Sequence, residues 1–275
     1  LTLDIAGDIT LDADGGDIRL SDGGTQFGKL HRDSGDFKIS SSENDKDIIF
    51  MGADGGSDIE AMRLDMSDAG TAQFGHDIEL VQSNFINFKH QAGGTIRATI
   101  SADSSDNLTF GTGSSGTEGM KIDTNGHVTK PLQPAFSATN HTGQNNLSIN
   151  TSVTVNYQNE IFDQNADYNT SSSVFTAPVT GRYWFQASLI FGSPQTDATY
   201  IEFTIDTSNR NYSLALNDYD AFDQVTTYWA VNGSCFADMD AGDTANGRIY
   251  QVGGTAATDI YHSVEGARFS GYLVC

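Results

Sequence analysis

Along the first half of the chain, apolar residues take alternate positions in short runs. Leu1, Leu3 and Ile5 stand against Thr2 and Asp4, followed by Ile9 and Leu11, Ile18 and Leu20, Phe37 and Ile39, and Leu108 and Phe110. Period two, broken by Gly-Gly and Asp-Gly turns, is the pattern of short, half-buried β-strands. An internal repeat lies beneath it. ADGGDIRLSDGGTQFG (Ala13 to Gly28) returns as ADGGSDIEAMRLDMSDAGTAQFG (Ala53 to Gly75), displaced by 40 residues at its start and 47 at its end. Repetition predicts a modular architecture. Each strand offers only two or three apolar side chains to one face, too few to offset a backbone entropy of ~1–2 kcal/mol per residue. Such a segment is either disordered or packed against identical chains. Disorder has no reason to keep a period, so residues 1–110 are expected to form an elongated, intertwined β shaft.

From 111 to 133 the pattern changes to a hairpin and linker. Gly and Ser cluster in a loop, MKID and HVTK flank a Thr-Asn-Gly turn, and Pro131 and Pro134 make a stiff connector. Residues 134–275 then read as one domain of short strands. The candidates are Pro134 to Ala138, Thr151 to Tyr157, Ser173 to Phe175, Gly181 to Phe191, Tyr200 to Thr207, Arg210 to Leu216, Gln224 to Asp238, Thr244 to Gln251 and Ala267 to Val274. With no helical periodicity, the expected fold class is all-β, and the second part is an antiparallel jelly-roll sandwich.

Composition sharpens this division. Residues 1–130 hold 10 of the 14 Lys and Arg and 22 of the 36 Asp and Glu, whereas all 10 Tyr and both Trp come later. A formal net charge of -22 excludes a nucleic-acid partner, whose polyanionic backbone needs clustered cations. No apolar run approaches the roughly 20 residues of a membrane span, so membrane insertion is not expected. Two cysteines, Cys235 and Cys275, are too few for a disulfide framework and are read as free, partly buried thiols.

The spacing Tyr157, five residues, Asp163, four residues, Tyr168, six residues, Phe175, five residues, Gly181, then Tyr183 and Phe185, resembles the signature of the complement component 1q globular head. PAFSA at Pro134 to Ala138, DMDAGD at Asp238 to Asp243 and the closing FSGYLVC add to the likeness, which covers about half the chain. Tyr157 and Ala187 depart from it, standing where the family prefers Phe and an aromatic. The resemblance implies the jelly roll shared with tumour necrosis factor and a homotrimer. The first half is similar to the repetitive fibres of tailed bacteriophages, marine ones especially, in GDITLDAD, DGGTQFG and GMKIDTNGHVTKPLQPAF. Together these imply a virion tail fibre with a globular tip. The chain starts at Leu1, so a longer N-terminal part is expected to join it to other tail proteins.

The chemistry in the sequence favours adhesion over catalysis, and no enzyme activity is expected. The six His are scattered, with no HExxH and no Ser in a GxSxG setting. A receptor surface, for a host glycan or outer-membrane protein, is expected at Arg210, Tyr212, Tyr219 and Phe222, where aromatics and a rare cation fall together near a loop. Tyr228 and Trp229 fit core or interface packing at least as well. Asp218, Asp220 and Asp223 supply oxygen ligands suited to Ca²⁺, which the resemblance also implies since related heads sometimes hold calcium near the threefold axis, with solvated loop carboxylates as the alternative. Two alternatives stand beside host attachment: a polysaccharide depolymerase tailspike, and a structural fibre whose tip serves only trimerisation.

Overall fold

The computed structural model describes residues 6–80, 85–89, 94–113, 117–218, 227–262 and 267–275, and these contain strands, turns and irregular chain but no helix. The chain divides into two compact units, residues 1–81 and 82–275.

The first unit holds two three-stranded antiparallel meanders. One is β1 (Asp17–Asp22), β2 (Thr25–Asp33) and β3 (Asp36–Ser41); the other is β4 (Ile48–Asp54), β5 (Ser57–Asp65) and β6 (Thr71–Phe74). Three of their hairpins close through two-residue loops, Gly23-Gly24, Ser34-Gly35 and Gly55-Gly56, whose φ angles are all positive. Positive φ at both positions matches the right-handed strand twist, which explains the Gly-rich punctuation. The repeat becomes one hairpin per copy, β1–β2 and β5–β6, and each ends in a glycine that passes close to a neighbouring carbonyl. A Cβ on Gly28 would lie 3.2 Å from the Ser40 oxygen, and one on Gly75 would collide with the Glu60 oxygen. Ile9 and Leu11, expected in a strand, lie in irregular chain. Alternation supplies a face, but a strand also needs a hydrogen-bonded neighbour, and within this chain they have none among the described residues.

The second unit begins with a five-stranded meander of β7 (Phe85–Lys89), β8 (Ile96–Ala102), β9 (Leu108–Thr112), β10 (Thr117–Ile122) and β11 (Val128–Thr129). The β10–β11 turn spans Asp123 to His127. The Asp123 carboxylate accepts the backbone N–H groups of Asn125 (2.8 Å) and His127 (2.9 Å), while Gly126 takes φ +84°. The same carboxylate device closes the turns at Asp65 and Asp103.

A two-sheet sandwich follows. Its strands are β12 (Ala135–Thr139), β13 (Ser152–Thr154), β14 (Asn159–Asp163), β15 (Tyr168–Asn169), β16 (Val174–Thr176), β17 (Gly181–Gly192), β18 (Ala198–Thr207), β19 (Asn211–Asn217), β20 (Tyr228–Met239), β21 (Thr244–Gly253), β22 (Asp259–Ile260) and β23 (Arg268–Leu273). One sheet runs β14-β12-β23-β17-β20, with β22 on β17; the other runs β15-β16-β21-β18-β19, with β13 on β21. Sequence neighbours repeatedly alternate between the sheets, as in a jelly roll. Strands β14, β15 and β22 carry no alternation of their own. NEIFD at β14 is mostly exposed and bulged against β12, so only its pairing makes it a strand.

Among the described residues, the core lies in this sandwich. Tyr183, Phe185, Ala187, Leu189 and Phe191 point inward from β17, opposite Ile201, Phe203 and Ile205 of β18. Among the described residues, no large apolar side chain before Phe136 is buried. Phe27, Phe37, Phe50, Phe74, Phe85 and Phe88 are all exposed.

Candidate functional site

Five of the seven signature positions, Tyr157, Tyr168, Phe175, Tyr183 and Phe185, belong to the core of the sandwich. Phe136 stacks between Tyr168 and Phe175, at ring separations of 4.7 and 4.9 Å, and meets Phe269 edge-on at 5.0 Å. Phe185 packs against Phe175 at 5.5 Å and Phe269 at 5.8 Å. The three tyrosines bury their rings and give their hydroxyls to backbone carbonyls: Tyr157 to Ser188 (3.0 Å), Tyr168 to Tyr157 (2.8 Å) and Tyr183 to Val179 (2.7 Å). A buried hydroxyl without such a partner costs several kcal/mol in the harshest reference state, of order 1–3 kcal/mol in proteins. Burial also pushes all three phenol pKa values up, which holds them neutral at physiological pH.

The polar and glycine positions of the signature have equally local reasons. The Asp163 carboxylate accepts the N–H groups of Asp167 (3.1 Å) and Tyr168 (2.8 Å), fixing the turn that delivers Tyr168 to the core. Burial raises the pKa of neighbouring Asp167, opposed by its hydrogen bonds from Asn165. Gly181 starts β17 against the chain terminus: a Cβ there would lie 2.7 Å from both the Cys275 oxygen and Leu273 Cδ1.

Register divides the sandwich into two ends. Pro134, Gly181, Asp238 and Cys275 meet at the base, while Asn140, Gly192, Asn217, Tyr228 and Tyr261 lie at the far end. Of the expected receptor residues, the two that are described lie at one of these ends. Arg210 and Tyr212 sit towards the base, where the Arg210 guanidinium donates to Asp238 at 2.8 Å and the Tyr212 hydroxyl reaches the same carboxylate at 3.4 Å. Tyr212 is also half-buried against the core. Tyr219 and Phe222 lie outside the described residues. Of the candidate calcium ligands, Asp218 is exposed, and Asp220 and Asp223 lie outside the described residues. No cluster of three metal-ligating His, Cys, Asp or Glu occurs among the described residues.

Adjacent residues Tyr228 and Trp229 separate by alternation: Trp229 leans on the core, and Tyr228 is exposed. A second aromatic surface gathers around Trp184, whose outward direction follows from alternation along β17. On the outer face of the first sheet, near the base, Trp184 packs on Tyr272 at 5.5 Å, and Phe236, paired with Trp184, is 64% exposed. Above this row the face is small and polar, with Ser137, Ser270, Gln186 and Ser234 in line and a 2.8 Å hydrogen bond between the first two hydroxyls.

Strand order and core together define an all-β chain with a jelly-roll sandwich over residues 135–273. No family model matches the sequence, and no curated protein matches it. Among solved structures, the globular domain of zebrafish complement 1qA protein is similar over 52% of this chain and 98% of its own, with 19% identity and a TM-score of 0.37. Murine APRIL at pH 8.0 is similar over 52% of this chain and 99% of its own, with 10% identity and a TM-score of 0.37.

Proposed function

We propose that the chain is part of a bacteriophage tail fibre, a homotrimer in the virion whose jelly-roll tip attaches to a host cell-surface receptor without making or breaking bonds. The observation that carries this reading is the uneven burial. Among the described residues the core begins at Phe136, and Phe27, Phe37, Phe50, Phe74, Phe85 and Phe88 before it are exposed. Open sheets with apolar faces and unpaired edges are stable when neighbouring chains cover them. The polar outer face beside Trp184, Phe236 and Tyr272 suits a second copy in the same way. The fibre resemblance and the order of repeats before tip support the attachment role.

Three tips on one axis raise capture by avidity when they engage together. In the test, fluorescent full-length chain is added to a panel of marine bacterial isolates, with and without a chelator. The reading expects saturable binding to some isolates and not others, and a solution mass three times that of one chain. Equal binding to every isolate, new reducing ends released from their polysaccharide, or a monomer mass would overturn it. Loss of binding with chelator supports calcium at Asp218, Asp220 and Asp223.

A further inference from the structure

The far end of the sandwich carries a strip of three rings. Tyr228 opens β20 opposite Gly192, and Asp259 of β22 pairs with the same glycine from the other side. Strand β17 therefore presents no side chain between them, and the Tyr228 and Tyr261 rings meet across it with centroids 4.6 Å apart and planes at 57°. A Cβ on Gly192 would lie 3.3 Å from that of Asp259 and 3.9 Å from that of Tyr261. Tyr261 is anchored by its N–H to the Ile190 carbonyl at 2.8 Å, and its ring continues onto His262 at 5.1 Å and 30°. His262 in turn backs onto Gly143, whose Cβ would stand 3.6 Å from its backbone nitrogen.

Such ring contacts also occur simply to cover a strand glycine, but two features go beyond cover. Tyr228 is 54% exposed and Tyr261 39%, so their faces stay open. Neither hydroxyl, nor either nitrogen of His262, has a hydrogen-bond partner among the described residues.

We propose that Tyr228, Tyr261 and His262 form a platform that binds the apolar face of a neutral saccharide. This rests on the receptor-binding reading of the tip and names the chemistry of its ligand. The rings supply a surface for sugar C–H groups, and their free polar ends supply donors and acceptors for hydroxyls. No Lys or Arg belongs to the strip, and the carboxylate of Asp259 beside it accepts the Asn146 N–H at 2.6 Å. An anionic sugar would find no cation to clamp it. Rings in mutual contact leave no gap for an ammonium group, so a cation-enclosing cage does not form. The strip extends over two ring spacings, which favours a disaccharide over a single sugar.

The test titrates full-length protein with the methyl glycosides of glucose, galactose and N-acetylglucosamine and with their β-linked disaccharides, read by saturation-transfer NMR. Choline and glucuronate serve as cationic and anionic controls. The expected result is transfer to C–H protons on one face of a neutral sugar, stronger for the disaccharide. Tyr228→Ala and Tyr261→Ala should each weaken binding about tenfold, the loss of one aromatic anchor. Tyr228→Phe, which keeps the ring, guards against misfolding and should retain most of the affinity. Preference for choline or glucuronate, no binding of any neutral sugar, or unchanged affinity in both alanine variants overturns the platform. A lower oligomer mass in these variants would assign the rings to an interface and overturn it too. The adhesion assay separates the two readings. If the alanine variants still bind isolates as the parent chain does, the platform falls and attachment stands; if sugars bind but no isolate does, attachment falls alone.

Discussion

Gly271→Ala places a methyl group inside the aromatic core, and the structure sets the size of the penalty. Gly271 lies on β23 between Phe136 of β12 and Phe185 of β17, hydrogen-bonded into the sheet on both sides. A Cβ there would overlap Phe185 Cδ1, stand 2.7 Å from its Cε1 and stand 3.0 Å from Phe136 Cε1. The backbone cannot retreat without breaking two ladders. The Phe185 ring cannot retreat either, because Phe175, Phe269 and Tyr183 lie 5.5, 5.8 and 6.0 Å away on other sides. Overpacking of a well-filled core typically costs ~1–3 kcal/mol, and this site belongs at the upper end. Alanine also restricts the unfolded chain, which returns about 0.4–1 kcal/mol. The net expectation is a loss of roughly 2 kcal/mol. Urea unfolding at fixed protein concentration measures it, since chain association would otherwise shift the midpoint. Phe185→Leu frees space beside the new methyl, so the double variant should lose less than the sum of the two singles. A Gly271→Ala chain within about 0.5 kcal/mol of the parent would refute the close-packing argument.

Acid, and not neutral pH, should loosen the turns at Asp65, Asp103 and Asp123. Hydrogen bonds in these turns hold Asp65, Asp103 and Asp123 below the usual carboxylate range, chiefly from the side chains of Ser67, Asn107 and His127 respectively. A depressed folded-state pKa adds stability that is present above the unfolded value of about 3.9 and is lost as pH falls through the folded value. Limited proteolysis at decreasing pH should cut these turns first, and Asp123→Asn should flatten the response at its own turn. Burial pushes the Cys235 thiol up to about 11, while Cys275 is exposed. Maleimide at neutral pH should therefore label one thiol per native chain and two after denaturation, and two in the native state would contradict the packing. Because the chain carries a net charge of -22, thermal stability should rise between about 0.1 and 1 M salt, where the Debye length contracts from ~10 to ~3 Å. A midpoint independent of salt would show that self-repulsion is unimportant.

Much of the tip was legible because its signature residues report local geometry. Asp163 ties the turn before Tyr168, Gly181 lets β17 pass the terminus, and Tyr183 and Phe185 follow strand alternation into the core. Strands such as β17, β18 and β21 run long enough for period two to dominate. Strand β14 was not readable, because its residues become a strand only through pairing with Phe136, Ser137, Ala138 and Thr139. The candidate binding residues were the least legible part. Arg210 and Tyr212 are close in sequence to Asn217, yet β19 carries the chain from the base of the sandwich to the far end between them. Tyr261 and His262 stand in a polar stretch with no pattern, and only the register of β22 against β17 brings them to Tyr228.

Sequence by itself determined the all-β character, the Gly-based turns and the identity of the core aromatics. Each of these follows from interactions within a few residues or from which face of one strand a side chain occupies. Tertiary structure alone decided which glycines lie against rings or carbonyls, which aromatics remain in solvent, and which distant side chains share an end of the sandwich. Those outcomes depend on how strands far apart in the chain are registered, and a one-residue slip in any register would turn each of its side chains to the other face.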